Sequence, residues 1–299
     1  MHGCILTDNT LQSISTHCHN LQILSLTNPH LILKNEIINP TSHNYFMPRI
    51  KLNNLKALLI SDITHVDHEA LEYTVKNCPN LEALDFNACN IQDEDIKTIS
   101  TNCHKLQFLT LTYCNSLQTL NINLPTLQTL NLENCKEVQI IGGVSGNLKT
   151  ICVSNCEKTT KKTFTNIFKN CQSLEIAYIN NTHAFTEETL SFLQKNIHLK
   201  ELMLTNTHDF ETMSIKHPYI EKLIINTKGS FTKKEFNEKL LTIFNNCPSL
   251  AKLGFIVPCG SISFFGLNLP DFNIASSFSR EPDDKPIHDG WIYYFTKKI

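Results

Sequence analysis

Leu81-Glu82-Ala83-Leu84-Asp85-Phe86-Asn87-Ala88-Cys89 reads Leu-x-x-Leu-x-apolar-x-x-Cys, and the same phrase returns along the chain. Leu106, Leu109, Leu111 and Cys114 make a second copy; Leu127, Leu130, Leu132 and Cys135 a third; Leu148, Ile151, Val153 and Cys156 a fourth. A fixed pattern recurring every 20 to 30 residues is the mark of a solenoid, in which each unit buries its apolar face on its neighbours. Working outward, the units begin at Leu21, Leu55, Leu81, Leu106, Leu127, Leu148, Leu174, Leu199, Ile220 and Leu250. Such an array offers an extended surface rather than a catalytic pocket.

The spacing between units is mostly 25–26 residues, as from Leu55 to Leu81, or 21, as from Leu106 to Leu127, and the segment from Pro29 to Lys51 enlarges the first to 34. Of the two common spacings, the longer leaves room for a helix. Ala70, Leu71 and Val75 within 67–77, and Phe164, Ile167 and Phe168 within 160–170, have the i, i+3, i+4 spacing of one helix face packed on a sheet. Asp67, Asp93 and Thr186 stand as N-caps, Thr232 with Glu235 fits a capping box, and Asn-Cys at 77–78, 102–103, 170–171 and 246–247 marks the helix ends. The shorter spacing has no room for a helix. Leu117, Leu120 and Ile122 there predict an extended return segment.

Cysteine usage follows the repeat. Of the 12 cysteines, Cys18, Cys78, Cys103, Cys171 and Cys247 lie three residues before a unit's first apolar residue, and Cys89, Cys114, Cys135 and Cys156 eight residues after it. Thiols locked to a repeat are packing units rather than a disulfide framework, which points to a reducing compartment. Cys-x-x-Leu-x-x-Leu-x-Leu-x-x-Cys resembles the cysteine-containing class of leucine-rich repeats, with Cys103 to Cys114 the clearest copy and Cys78 to Cys89 next. The resemblance covers about residues 4 to 257. It implies an α/β solenoid with a curved parallel sheet on the concave side and helices or extended segments on the convex side. This class is best known from F-box leucine-rich-repeat proteins, whose repeats hold a substrate for a ubiquitin ligase. No helical F-box segment precedes these repeats.

The expected organisation is therefore a solenoid over 1–257 of about ten strands, with an inserted loop near 29–51, followed by a C-terminal cap or tail over 258–299 that ends in Trp291-Ile292-Tyr293-Tyr294-Phe295. Cys4-Ile5-Leu6-Thr7-Asp8 reads as the end of one unit running into a helix, with the preceding strand missing. A net charge of -2 and a pI near 6.7 argue against nucleic acid or an anionic membrane as the main partner. No run of eighteen apolar residues and no basic-then-apolar leader is present, so neither a membrane span nor a secretory signal is expected. The Asn, Ile and Lys content is compatible with a pathogen or virus, in which case the location is the host cytosol.

Strand side chains alternate, so the residues between the leucines point out of the sheet. The central outward position reads Ser25, Leu59, Asp85, Thr110, Asn131, Cys152, Tyr178, Met203, Ile224 and Gly254. Its apolar stretch Tyr178, Met203, Ile224, with Ile176 beside it and Glu201 and Lys222 at its edge, is the predicted protein-binding site, and Phe108 is a second outward aromatic. No catalytic, cofactor or metal site is expected. His17-Cys18-His19 reads as turn residues of a repeat, His65 and His68 as solvated residues at a helix start, and Gly142 to Gly146 as a tight turn without the strand-to-helix context of a phosphate loop. Cys152 is the single outward thiol, and Asn131 and Tyr178 beside it offer no base. Asn180-Asn181-Thr182 matches a glycosylation acceptor by three residues only. The expected function is a non-enzymatic, monomeric, cytoplasmic protein-binding module that uses the concave face. The alternative is a ubiquitin-ligase adaptor with a missing or divergent F-box, bound to ligase components.

Overall fold

In the computed structural model, residues 5–27, 30–32, 47–63, 66–205, 215–226, 233–258, 272–278 and 290–297 are described. The first units supply β1 (Ile5–Thr7), α1 (Asp8–His17), β2 (Ile23–Thr27), β3 (His30–Ile32), β4 (Ala57–Ser61), α2 (His68–Asn77), β5 (Ala83–Asn87) and α3 (Asp93–Asn102). The short middle units supply β6 (Phe108–Thr110), β7 (Thr119–Asn121), β8 (Thr129–Asn131), β9 (Ile140–Gly142) and β10 (Thr150–Cys152). Helices then return with α4 (Lys161–Asn170), β11 (Ile176–Asn180), α5 (Glu187–Leu193), β12 (Glu201–Thr205), β13 (Lys222–Asn226), α6 (Lys233–Asn246) and β14 (Lys252–Pro258). A final pair, β15 (Phe272–Phe278) and β16 (Gly290–Lys297), ends the described chain.

Each unit's leucine phrase forms one strand of a single 12-stranded sheet, ordered β2-β4-β5-β6-β8-β10-β11-β12-β13-β14-β16-β15. All neighbours from β2 to β14 pair in parallel, and β16 and β15 then add antiparallel. The residues on the inner side of the parallel strands are buried: Leu58 and Ile60, Leu84 and Phe86, Leu130 and Leu132, Leu223 and Ile225. Each such apolar side chain contributes about 1.5–3 kcal/mol when fully removed from water. One continuous core from Leu11 to Phe295 results.

Behind the sheet, α2 buries Ala70, Leu71 and Val75, and α4 buries Phe164, Ile167 and Phe168, as the spacing requires. Phe185 meets both α4 rings edge-on, at 5.8 and 6.2 Å. Where the unit shortens to 21 residues, β7 and β9 pair in parallel as the return segment, with Leu117, Leu120 and Ile122 buried beneath. The caps differ in part from expectation. Asp67 caps α2 by accepting from the Glu69 N–H at 3.0 Å, and Thr186 stands at the N-cap of α5, its N–H donating to Thr189 Oγ1. Asp93 is not a cap: Gln92 takes that position, and the Asp93 carboxylate instead accepts the N–H groups of Gln118 and Thr119 in the next unit. A helix-less unit leaves those backbone donors without a helical partner, and the acid supplies one.

Part of the inserted segment is ordered into the solenoid. His30–Ile32 pairs with Ile5–Thr7, and Met47, Ile50 and Leu52 are core residues tied to α2 through Thr74. Residues 33–46, Cys4, His65, Thr232 and most of the polar tail lie outside the described residues. The C-terminal strands extend the core, since Phe295 is fully buried with its ring 5.6 Å from Phe255. Among the described residues no helix is long and apolar enough to cross a membrane.

Candidate functional site: the open face of the sheet

Helices and return segments cover one side of the sheet, so function has to be sought on the other. Strand register aligns the outward residues in rows. Ser25, Leu59, Asp85, Thr110, Asn131, Cys152, Tyr178, Met203, Ile224 and Gly254 are paired in succession. The row on its N-terminal side runs Ile23, Ala57, Ala83, Phe108, Thr129, Thr150, Ile176, Glu201, Lys222 and Lys252. The predicted site residues thus fall into two places. Ile176, Tyr178, Glu201, Met203, Lys222 and Ile224 come together across β11 to β13, and Phe108 stands apart on β6.

The C-terminal group is engaged within the chain. The Tyr178 hydroxyl donates to Glu201 Oε1 at 3.0 Å, and the Lys222 ammonium pairs with the same oxygen. Burial, followed by that carboxylate, pushes the Tyr178 phenol up to about 12. Ile224, expected to be exposed, is only 5% exposed. Tyr294 of β16 reaches it, and the two form a small cluster with Met203 and Ile256. The approach is possible because residue 254 is glycine: a Cβ there would stand 3.1 Å from the Tyr294 ring and 3.2 Å from Ile224. Lys252 caps the other face of the arrangement, its Nζ 3.8 Å from the Tyr294 ring centre. The C-terminal strand therefore covers Ile224 and packs beside Met203, which sequence spacing does not reveal, while Ile176, Tyr178, Glu201, Met203 and Lys222 stay part-exposed.

The N-terminal half differs. Ile23 is 64% and Phe108 46% exposed, and Ala57, Leu59 and Ala83 between them are part-exposed. Asp85 lies beside them with its Oδ1 buried and unbonded, and burial raises its carboxyl above the usual range. Outward periodicity finds Phe108; Ile23 in its row, and Leu59 and Asp85 in the neighbouring row, carry no signal in sequence that separates them from ordinary surface.

No set of three His, Cys, Asp or Glu able to hold a metal is found among the described residues. His17 Nδ1 bonds the Ser13 carbonyl. His68 is not simply solvated, as its Nδ1 lies 3.1 Å from buried Asp95. Cys152 is half-buried and bonds Ser154 Oγ at 3.3 Å, whereas Cys18 is the exposed thiol among the described residues. Asn180, the residue of the glycosylation match, is buried and donates to Ser154 Oγ. Gly143 makes the turn at φ +64, where a Cβ would meet the Ile122 carbonyl oxygen at 2.7 Å.

Residues 29–235 match the profile of the At1g61320/AtMIF1 LRR domain family. The chain belongs to this leucine-rich-repeat family. The LRR match runs from β3 to β13 and leaves β2 and β14 outside it. The crystal structure of a TLR13–ssRNA13 complex is similar to the LRR array at 21% identity and a TM-score of 0.45, over 80% of this chain and 30% of that one. The array thus spans under a third of that protein. No curated protein sequence matches the chain.

Proposed function

We propose that the chain is a non-enzymatic protein-binding module whose ligand lies across the open face of the sheet. Membership of a leucine-rich-repeat family supports the interaction role. The observation that carries the choice of face is the exposed pair Ile23 and Phe108 on strands whose other side is wholly occupied by core. Large apolar side chains exposed on an ordered surface are the usual anchors of interfaces. A catalytic role finds no support at Cys152, whose row neighbours Asn131 and Tyr178 supply no base. All ten described cysteines are free thiols, in keeping with a reducing compartment such as the cytosol. The adaptor reading rests on the likeness of the repeats to those of F-box proteins, and ligase subunits among captured partners are its test.

The experiment is affinity capture with the full chain and two folded variants. Thr150→Arg places a long cation in the middle of the open face; Ile197→Asp alters an exposed residue outside the sheet. The reading predicts that partners are lost with Thr150→Arg and kept with Ile197→Asp. The reverse pattern contradicts it.

A further inference from the structure

We propose that the open face over β2, β4, β5 and β6 binds an extended protein segment presenting an apolar side chain and a Lys or Arg within about 7 Å of each other. The proposal rests on the open-face reading above and names the chemistry of its ligand. Ile23 and Phe108 lie three strand spacings apart, about 14 Å, and the residues between them in that row are Ala57 and Ala83. Two small side chains between two large exposed ones make a shallow trough of about one side chain's width. One flank is closed by Lys56 and Glu82, 3.3 Å apart, whose charges satisfy each other. The other flank is Leu59 and Asp85, one row over and about 7 Å along the strands.

Asp85 supplies the charge argument. Its Oδ1 is buried with no hydrogen-bond partner, and none of the eight ion pairs among the described residues includes it. Desolvation, with no opposing cation, keeps its carboxyl above the ordinary range. A part-buried carboxylate without a partner is unfavourable in the free chain. The same group becomes favourable when a ligand brings a cation, because that bond is charge-assisted and forms in a site already shielded from water. One carboxylate is too few for a divalent cation, which takes six or more oxygens. Nucleic acid would set phosphates against an acid. A Lys or Arg side chain with an apolar neighbour fits both the charge and the trough. The opposite end of the face offers no such group, since Glu201 already bonds Tyr178 and Lys222.

The test selects a random linear peptide library on the full chain and measures the enriched peptides by fluorescence anisotropy. The proposal predicts peptides with a basic residue next to, or two residues from, an apolar one. Asp85→Asn and Phe108→Ala should each weaken them about tenfold or more, the scale of one charge-assisted hydrogen bond or one apolar anchor. Asp85→Asn removes an unpaired charge and leaves the chain folded, which its unfolding midpoint reports. Asp85→Lys should reject the same peptides and accept versions with Glu in place of the basic residue. No enrichment, enrichment without basic residues, or indifference to Asp85→Asn overturns the proposal. Peptides indifferent to Asp85 and Phe108 yet lost with Thr150→Arg overturn it while leaving the open-face reading intact; peptides lost with none of these variants overturn both.

Discussion

Four thiols one unit apart each donate to the preceding strand: Cys89 to the Ile60 carbonyl at 3.5 Å, Cys114 to Phe86 at 3.5 Å, Cys135 to Leu111 and Cys156 to Leu132 at 3.0 Å. The strand turns away at these points, and a buried carbonyl there needs a donor that an aliphatic residue lacks. Burial also pushes the Cys78 thiol up to about 11 and those of Cys103 and Cys171 up to about 12. Thiolate is the reactive form, so alkylation of the native chain should modify Cys18 and spare these buried thiols until denaturant is added, as peptide mapping by mass spectrometry would read. The phase of the cysteines was legible in the sequence; their acceptors were not, because each lies one unit back. Position 217 varies the theme. His217 takes the place held by Cys78 and Cys247, with Nε2 on the Asn196 carbonyl and Nδ1 accepting from the Tyr219 N–H. Burial lowers its pKa below 6.5, so in the window beneath 6.5 the unfolded chain binds the proton that the folded chain refuses. Stability is then full above pH 6.5 and is lost as pH falls through that window. His217→Asn should remove this loss in urea titrations compared across the pH range, since Asn196 already fills the same place one unit earlier by donating to the Phe168 carbonyl.

At the scale of elements, the helical units and the helix-less ones follow from unit length alone, and the strand register follows from the leucine phase. What length and phase leave open is the point where one element must approach another closely. Gly143 is such a point. A Cβ at φ +64 costs about 1–2 kcal/mol before the clash with Ile122 is counted, so Gly143→Ala should lower the urea midpoint by at least that free energy. Gly254 is the other, and it reports on the cover over Ile224. Gly254→Val should push Tyr294 away and destabilise the chain by about 1–3 kcal/mol, with Ile224 becoming accessible. Unchanged stability would mean that β16 is not held against β14 as described. Asp93 illustrates the limit of local reading. An acid before a helical pattern suggests a cap, yet the backbone it serves belongs to the next unit, 25 residues on.

Across the whole molecule, the open face carries Tyr178, Met203 and Ile224 in contacts within the chain towards one end and Ile23 and Phe108 exposed towards the other. Period-2 alternation in the strands was enough to place Tyr178, Met203, Ile224 and Phe108 on that face. It was not enough to say which of them a partner would find. That depends on Tyr294, seventy residues beyond Ile224 and delivered by an antiparallel strand after the repeats end. It also depends on Asp85, whose missing partner is a property of its neighbours in β4 and β6 rather than of its own segment. Hydroxyl-radical footprinting of the chain, free and bound to a captured partner, tests the central claim most directly, because it reads each side chain separately. The account predicts that Phe108 and Ile23 lose reactivity on binding while Tyr73, Ile197 and Tyr219, exposed outside the sheet, keep theirs; protection of Tyr73, Ile197 and Tyr219 with Phe108 and Ile23 unchanged would contradict it.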